Sequence, residues 1–208
     1  SPRIQDFARV VSLRRVITGL AVLLMSLYFV AKNWHDVFQY HPLMMTVAFV
    51  GCMPEIIHLG NNFRRCRSMA ERQQTAASHL QVAIALKFVS LIGFVAIEVS
   101  KIQRQKRHFT SWHGVLGLLC VIIIGAQMAV GLCYHFRFGP SKKLPNLFPF
   151  LRKLHQWLGI ALMVVGTISM YLGMQSHFAV RAVPNDILRQ FFAAATGLAI
   201  LFAYLREQ

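Results

Sequence analysis

The sequence predicts an all-α integral membrane protein with six transmembrane helices, and three observations lead there. Of its 208 residues, 56% are hydrophobic and only 14% charged, a balance that suits a chain solvated by lipid better than one solvated by water. Six stretches each supply the roughly 20 mostly apolar residues that a helix needs to cross a bilayer core. The charges are gathered in short runs between those stretches, so the net charge of +15 reads as loop charge beside phospholipid headgroups and not as a nucleic-acid-binding face.

The six spans run from Leu13 to Lys32, Tyr40 to Asn61, Ala77 to Ser100, Ser111 to Phe136, Phe150 to His177 and Asn185 to Tyr204. Polar breaks separate them: residues 61–67 after the second, Lys101 to Arg107 after the third, and the Gly- and Pro-containing run 139–145 after the fourth. Such short connections make sequence neighbours antiparallel, and the whole of 1–208 reads as one domain. Seven small residues (Gly114, Gly117, Gly125, Gly131, Gly159, Gly166 and Gly173) are expected where helices approach closely.

Six spans leave both termini on one side. That side collects 14 of the 22 Lys and Arg residues against seven on the other, which predicts cytosolic termini. An endomembrane or plasma membrane is the expected home, with the mitochondrial inner membrane, and matrix-side termini, as the alternative. Cys52, Cys66, Cys120 and Cys133 show neither CxxC nor CxxCH spacing, so they are read as small apolar side chains and not as haem-attachment, zinc or disulfide positions.

The histidines carry the chemistry. Ionisable groups inside spans are expensive enough to suggest function, and four of the nine occupy equivalent places: His41, His79, His113 and His155 open spans two, three, four and five. Alternating helix direction puts His41 and His113 near the outer surface and His79 and His155 near the inner one. Each pair can clasp a flat macrocycle from both sides, so a central four-helix bundle holding two b-type haems is predicted, the irons on the order of 20 Å apart. With two imidazoles on the iron no position stays open, which favours electron transfer over oxygen binding. His35, His58, His135 and His177 compete for these roles: by depth alone His177 could replace His113, and His58 or His135 could replace His155.

Four segments resemble the cytochrome b561 family: His41-Pro42-Leu43-Met44-Met45, His79-Leu80-Gln81, Phe109-Thr110-Ser111-Trp112-His113-Gly114 and Leu154-His155-Gln156-Trp157-Leu158-Gly159. The likeness is to its short stand-alone, six-helix, di-haem members, and implies a haem-binding core over about residues 40–177. It implies His41 and His113 as ligands of the outer haem iron and His79 and His155 as ligands of the inner one. It implies a homodimer and an ascorbate-dependent transmembrane oxidoreductase that passes electrons from cytosolic ascorbate to monodehydroascorbate or ferric iron. Catalysis is then electron transfer through non-covalent haem b, with no side chain acting as acid, base or nucleophile.

Substrate contacts follow less directly. His108 resembles a family histidine near the acceptor, and Lys106 and Arg107 beside it could attract an anion. At the inner surface Arg152, Lys153 and Arg72 are the cations expected to receive ascorbate, although no lysine stands just before His79. Glu55, 14 residues beyond His41, should share its helix face and pair with Lys87 of the next span. The alternative function is that of a haem-containing accessory subunit of a larger membrane complex, its basic loops docking acidic partners or anionic lipid.

Overall fold

The computed structural model describes residues 36–63, 65–136 and 147–205, with Gly19, Leu20 and Leu24 besides. The first predicted span and the 139–145 loop therefore lie outside the described residues. Among the described residues every regular element is helical. Four helices are long and apolar enough to cross a membrane: α1 (Val37–Asn62), α2 (Met69–Gln103), α3 (Trp112–Phe136) and α4 (Leu147–Met174). A short α5 (His177–Ala182) and a 20-residue α6 (Asp186–Leu205) follow.

Local chemistry sets the helix ends. Asp36 caps α1, its side chain accepting from the Phe38 N–H at 3.0 Å. Ser68 and Glu71 form a reciprocal capping box at the start of α2, which lets that helix begin eight residues before the apolar pattern does. At 35 residues α2 is about 50 Å long, well over the roughly 30 Å hydrocarbon core, so its first turns stand clear of lipid. Ser111 receives the Gly114 N–H at 3.2 Å at the head of α3. The fifth span ends earlier than the sequence reading placed it: α4 stops at Met174, and His177 opens α5 behind a Ser176 cap.

α1 is not uniform. Residues Val47–Cys52 form a π-helical turn just ahead of Pro54, which sits in the first turn of the α-helical segment Met53–Asn62. Proline lacks an N–H and crowds the carbonyl four residues back; a wider turn at that place relieves both problems. The extra residue also rotates the outer half of α1 against the inner half by about 100°. Glu55 is thereby carried off the face that His41 occupies, contrary to the regular-helix expectation. Lys87 is exposed on α2 beside Phe88 and Ile84, and so is not turned into the bundle towards Glu55.

α1 and α2 pack as one antiparallel hairpin and α3 and α4 as another; the hairpins face each other, with α6 against both α1 and α4. Between them lies a core of Ala48, Phe49, Met53, Leu86, Cys120, Ile123, Ile124, Leu162 and Ile200. Phe49, 4% exposed, reaches α4 only because residue 166 is glycine: a Cβ there would stand 2.4 Å from the Phe49 ring. The opposite surfaces of the helices, with Phe88 58%, Ile92 50% and Ile122 58% exposed, are the apolar faces a bilayer covers. Gly166→Ala should cost about 1–3 kcal/mol by overpacking. It is expected to lower the thermal unfolding midpoint of the detergent-solubilised protein, and Gly166→Ala with Phe49→Leu should recover most of the loss.

Candidate functional site

Each hairpin contributes one histidine at each end. His41 (α1) and His79 (α2) belong to the first, His113 (α3) and His155 (α4) to the second. Across the gap between hairpins the rings meet in two pairs: His41 and His113 with centroids 6.0 Å apart and planes at 73°, His79 and His155 at 6.1 Å and 65°. The competing histidines are otherwise placed. His58 is buried, with Asn62 Nδ2 donating to its Nε2 at 2.8 Å. His135 and His177 are exposed at helix ends, and His35 lies outside the described residues.

The rings are held from behind, within their own hairpin. His41 Nδ1–H donates to the Gly93 carbonyl at 3.0 Å, and His113 Nδ1–H to the Ser169 carbonyl at 2.9 Å. Ser169 adds its hydroxyl at 3.4 Å from the same nitrogen, whereas Thr46, Ser90, Thr167 and Thr196 spend theirs on the carbonyl four residues back. Committing Nδ1 to a carbonyl fixes the tautomer and leaves the Nε2 lone pair for another partner. His155 and His113 fit against the facing helices only through glycines. A Cβ at Gly131 would stand 2.9 Å from His155 Cε1, and one at Gly173 would stand 3.0 Å from His113 Cε1. The Nδ1 atoms of His79 and His155 are buried without a hydrogen bond of normal geometry.

The pairs suit a metal ion. Imidazole nitrogen–metal bonds are about 2 Å long and a ring centroid lies roughly 1 Å behind its nitrogen, so one ion fits midway between centroids about 6 Å apart. The outer pair also opens onto a cleft lined by Phe49, Phe94, Leu118 and Ile124 among others. Such apolar walls suit the faces of a flat macrocycle better than a bare hydrated ion.

This geometry coincides with a match of residues 40–180 to the family described as eukaryotic cytochrome b561. The chain belongs to the cytochrome b561 family. It is 29% identical over 183 residues to Transmembrane reductase CYB561D2 of Bos taurus, covering 83% of this chain and 79% of that one. The human protein of the same name is 28% identical over 201 residues, 92% of this chain and 82% of its own. Transmembrane ascorbate ferrireductase 2 of Arabidopsis thaliana is 24% identical over 160 residues, 76% and 66% of the two chains.

Around the outer pair of this b561 chain, charges meet in an order that the sequence reading did not anticipate. His108, expected near an acceptor, is hydrogen-bonded to Glu98 of α2, and Arg104 forms an ion pair with Asp36. The intervening loop uses left-handed backbone at two residues other than glycine, Gln105 (φ 51°) and Phe109 (φ 52°), a conformation that tertiary contacts must hold in place. Those contacts are visible: the Phe109 ring stacks on Phe94, centroids 6.5 Å apart and planes at 14°. Lys106 and Arg107 are exposed on the same loop. Near the inner pair, Arg72 in the first turns of α2 and Arg152 and Lys153 just before His155 are all exposed.

Gly173→Val should push the His113 ring out of line with His41 while leaving the inner pair alone. On the two-haem reading proposed below, the expected result is loss of about half of the haem absorbance in the purified protein, with the remaining spectrum that of one undisturbed centre.

Proposed function

We propose that the chain carries single electrons across the membrane through two b haems, one between His41 and His113 and one between His79 and His155. The donor is cytosolic ascorbate, and the acceptor on the opposite side is monodehydroascorbate or ferric iron. The observation that carries this reading is the repeated imidazole pair, at the same separation, in two layers. Gly93, which backs His41, lies 14 residues along α2 from His79, so the layers are about 20 Å apart and one stands near each surface.

Bis-imidazole haem b, when bound, supplies reversible one-electron exchange at iron without an open coordination position for oxygen. The remainder is done by the polypeptide. His41 and His113 keep Nε2 free by donating from Nδ1 to backbone carbonyls. The apolar cluster of Phe49, Met53, Leu86, Ile124 and Leu162 fills the space between the layers and excludes water. Arg72, Arg152 and Lys153 stand exposed by the inner layer, where an anionic donor would find positive charge. The relatives named as a transmembrane reductase and an ascorbate ferrireductase support the same direction of chemistry, and membership of a b561 family supports b-type haem.

The test uses the purified full-length chain. Reduced-minus-oxidised spectra with haem quantitation should give two haems per chain. His41→Ala and His113→Ala should lose the same one, His79→Ala and His155→Ala the other, and His58→Ala and His135→Ala neither. In liposomes loaded with ascorbate, external ferric chelate should be reduced by the wild type and by none of the four ligand variants. A colourless protein, or four ligand variants that all keep both haems, would overturn the proposal.

A further inference from the structure

The outer cavity contains a cation that no carboxylate of the described protein answers. Four groups line its mouth or stand beside it as charges on the last turns of α2 and its loop: Glu98, Lys101, Arg104 and His108. Glu98 is hydrogen-bonded to His108, and Arg104 is paired with Asp36. Lys101 is left over. Among the described residues its ammonium makes a single recorded contact, over the Phe109 ring at 5.4 Å from the centroid, and a cation–π contact at such range is a weaker anchor than a charge-assisted hydrogen bond.

Its position is not that of a solvated surface lysine. Lys101 is half-buried and lines the same cavity as His41 and His113. It lies eight residues beyond Gly93, about 12 Å outward along α2, and helical side chains lean back towards the N-terminus, which returns the ammonium towards the histidine layer. Its charge is close enough to act on both imidazoles. Behind it stands the Phe109 ring, wedged against Phe94 by a left-handed backbone that costs free energy to hold. The ring takes up one side of the ammonium, and the cavity that Lys101 lines lies open to it. An unpaired cation bordering an apolar space is expensive unless the space brings its counter-ion.

We propose that Lys101 binds a carboxylate carried by the group that His41 and His113 hold, namely a propionate of the outer haem. The assignment rests on the two-haem reading above. Haem b is apolar over its faces and carries two carboxylates on one edge. The cavity has the matching division: aromatic and aliphatic walls in depth, and an unmatched ammonium at the outer rim. The same chemistry could come from a soluble acceptor such as ferric citrate, and the experiment separates the two sources.

The holoprotein is produced as wild type, Lys101→Met, Lys101→Gln and Lys101→Arg, with haem carboxylates isotopically labelled through a labelled biosynthetic precursor. Redox-difference infrared spectra, midpoint titrations and the rate of haem transfer to apomyoglobin are measured for each. Loss of the ammonium should shift the labelled carboxylate band, lower the midpoint potential of the outer haem alone, and speed departure of one of the two haems roughly tenfold or more. The midpoint falls because a nearby cation favours the electron-rich state. Lys101→Arg should stay close to wild type in all three measurements. Identical labelled bands in all four proteins overturn the assignment. So does a raised KM for ferric citrate with band and midpoint unchanged, which would place the carboxylate on the soluble acceptor. Wild-type protein without haem would remove the two-haem reading as well, so the two failures are distinguishable.

Discussion

An imidazole that offers Nε2 to a metal must place its Nδ1–H elsewhere, and inside a bilayer there is no water to take it. The remaining acceptors are backbone carbonyls on neighbouring helices, reachable only if those helices come very close. His41 on Gly93 and His113 on Ser169 show the solution, a ring pressed onto the partner helix of its own hairpin. Much of the architecture follows from this need. The hairpins pack tightly within themselves where the His41 and His113 rings bond the backbone behind them. Between the hairpins, at both ends, the paired rings face each other with centroids about 6 Å apart. At mid-depth, where nothing is to be bound, the same gap is filled solid by Phe49, Ile124, Leu162 and their neighbours.

The division between rigid scaffold and reserved space also accounts for where polar side chains go. The hydroxyls of Thr46, Ser90, Thr167 and Thr196 are turned back onto their own helices, whereas that of Ser169 stands at the His113 ring. Apart from Glu55 and Lys87 within the spans, charged groups gather at the rims, and the outer rim is organised by side-chain bonds reaching from α2 to its loop and to the cap of α1. Arg189, only 7% exposed, is consumed by the turn before α6, donating to the carbonyls of Val183 and Pro184 and to Asp186. A buried cation held by two carbonyls and a carboxylate is structural; the contrast with Lys101 is what gives the latter its meaning.

Much of this was legible in the residues. Apolar length, loop charge and helix-start histidines were enough to place the spans and to suggest which rings meet, because antiparallel order converts position in the chain into depth. The sequence holds a further signal: His113 and Gly131, and likewise His155 and Gly173, are 18 residues apart, five full turns. Each helix therefore offers a ligand at one end and the seat for its neighbour's ligand at the other, on one face. What could not be read were features set by contacts distant in sequence. Nothing local marks Gln105 or Phe109 for left-handed backbone, and the partners of Glu98 and Arg104 depend on how a loop folds back. The capping box that lengthens α2 was visible as Ser68 and Glu71 but lay outside the apolar window. The Glu55 and Lys87 expectation failed because it assumed a regular helix.

That irregularity has its own arithmetic. In α1 the corresponding spacing, from His41 to Gly60 beside the His79 ring, is 19 and not 18. The wide turn at Val47–Cys52 absorbs the surplus residue, so that both positions still face α2. Phase, more than side-chain identity, is thus what the turn has to conserve. Winding the same residues as regular α-helix, with none removed, would leave α1 just as apolar yet swing its two ends out of phase by about 100°. Only one end could then be satisfied, and the chain would have to choose between seating His79 and presenting His41.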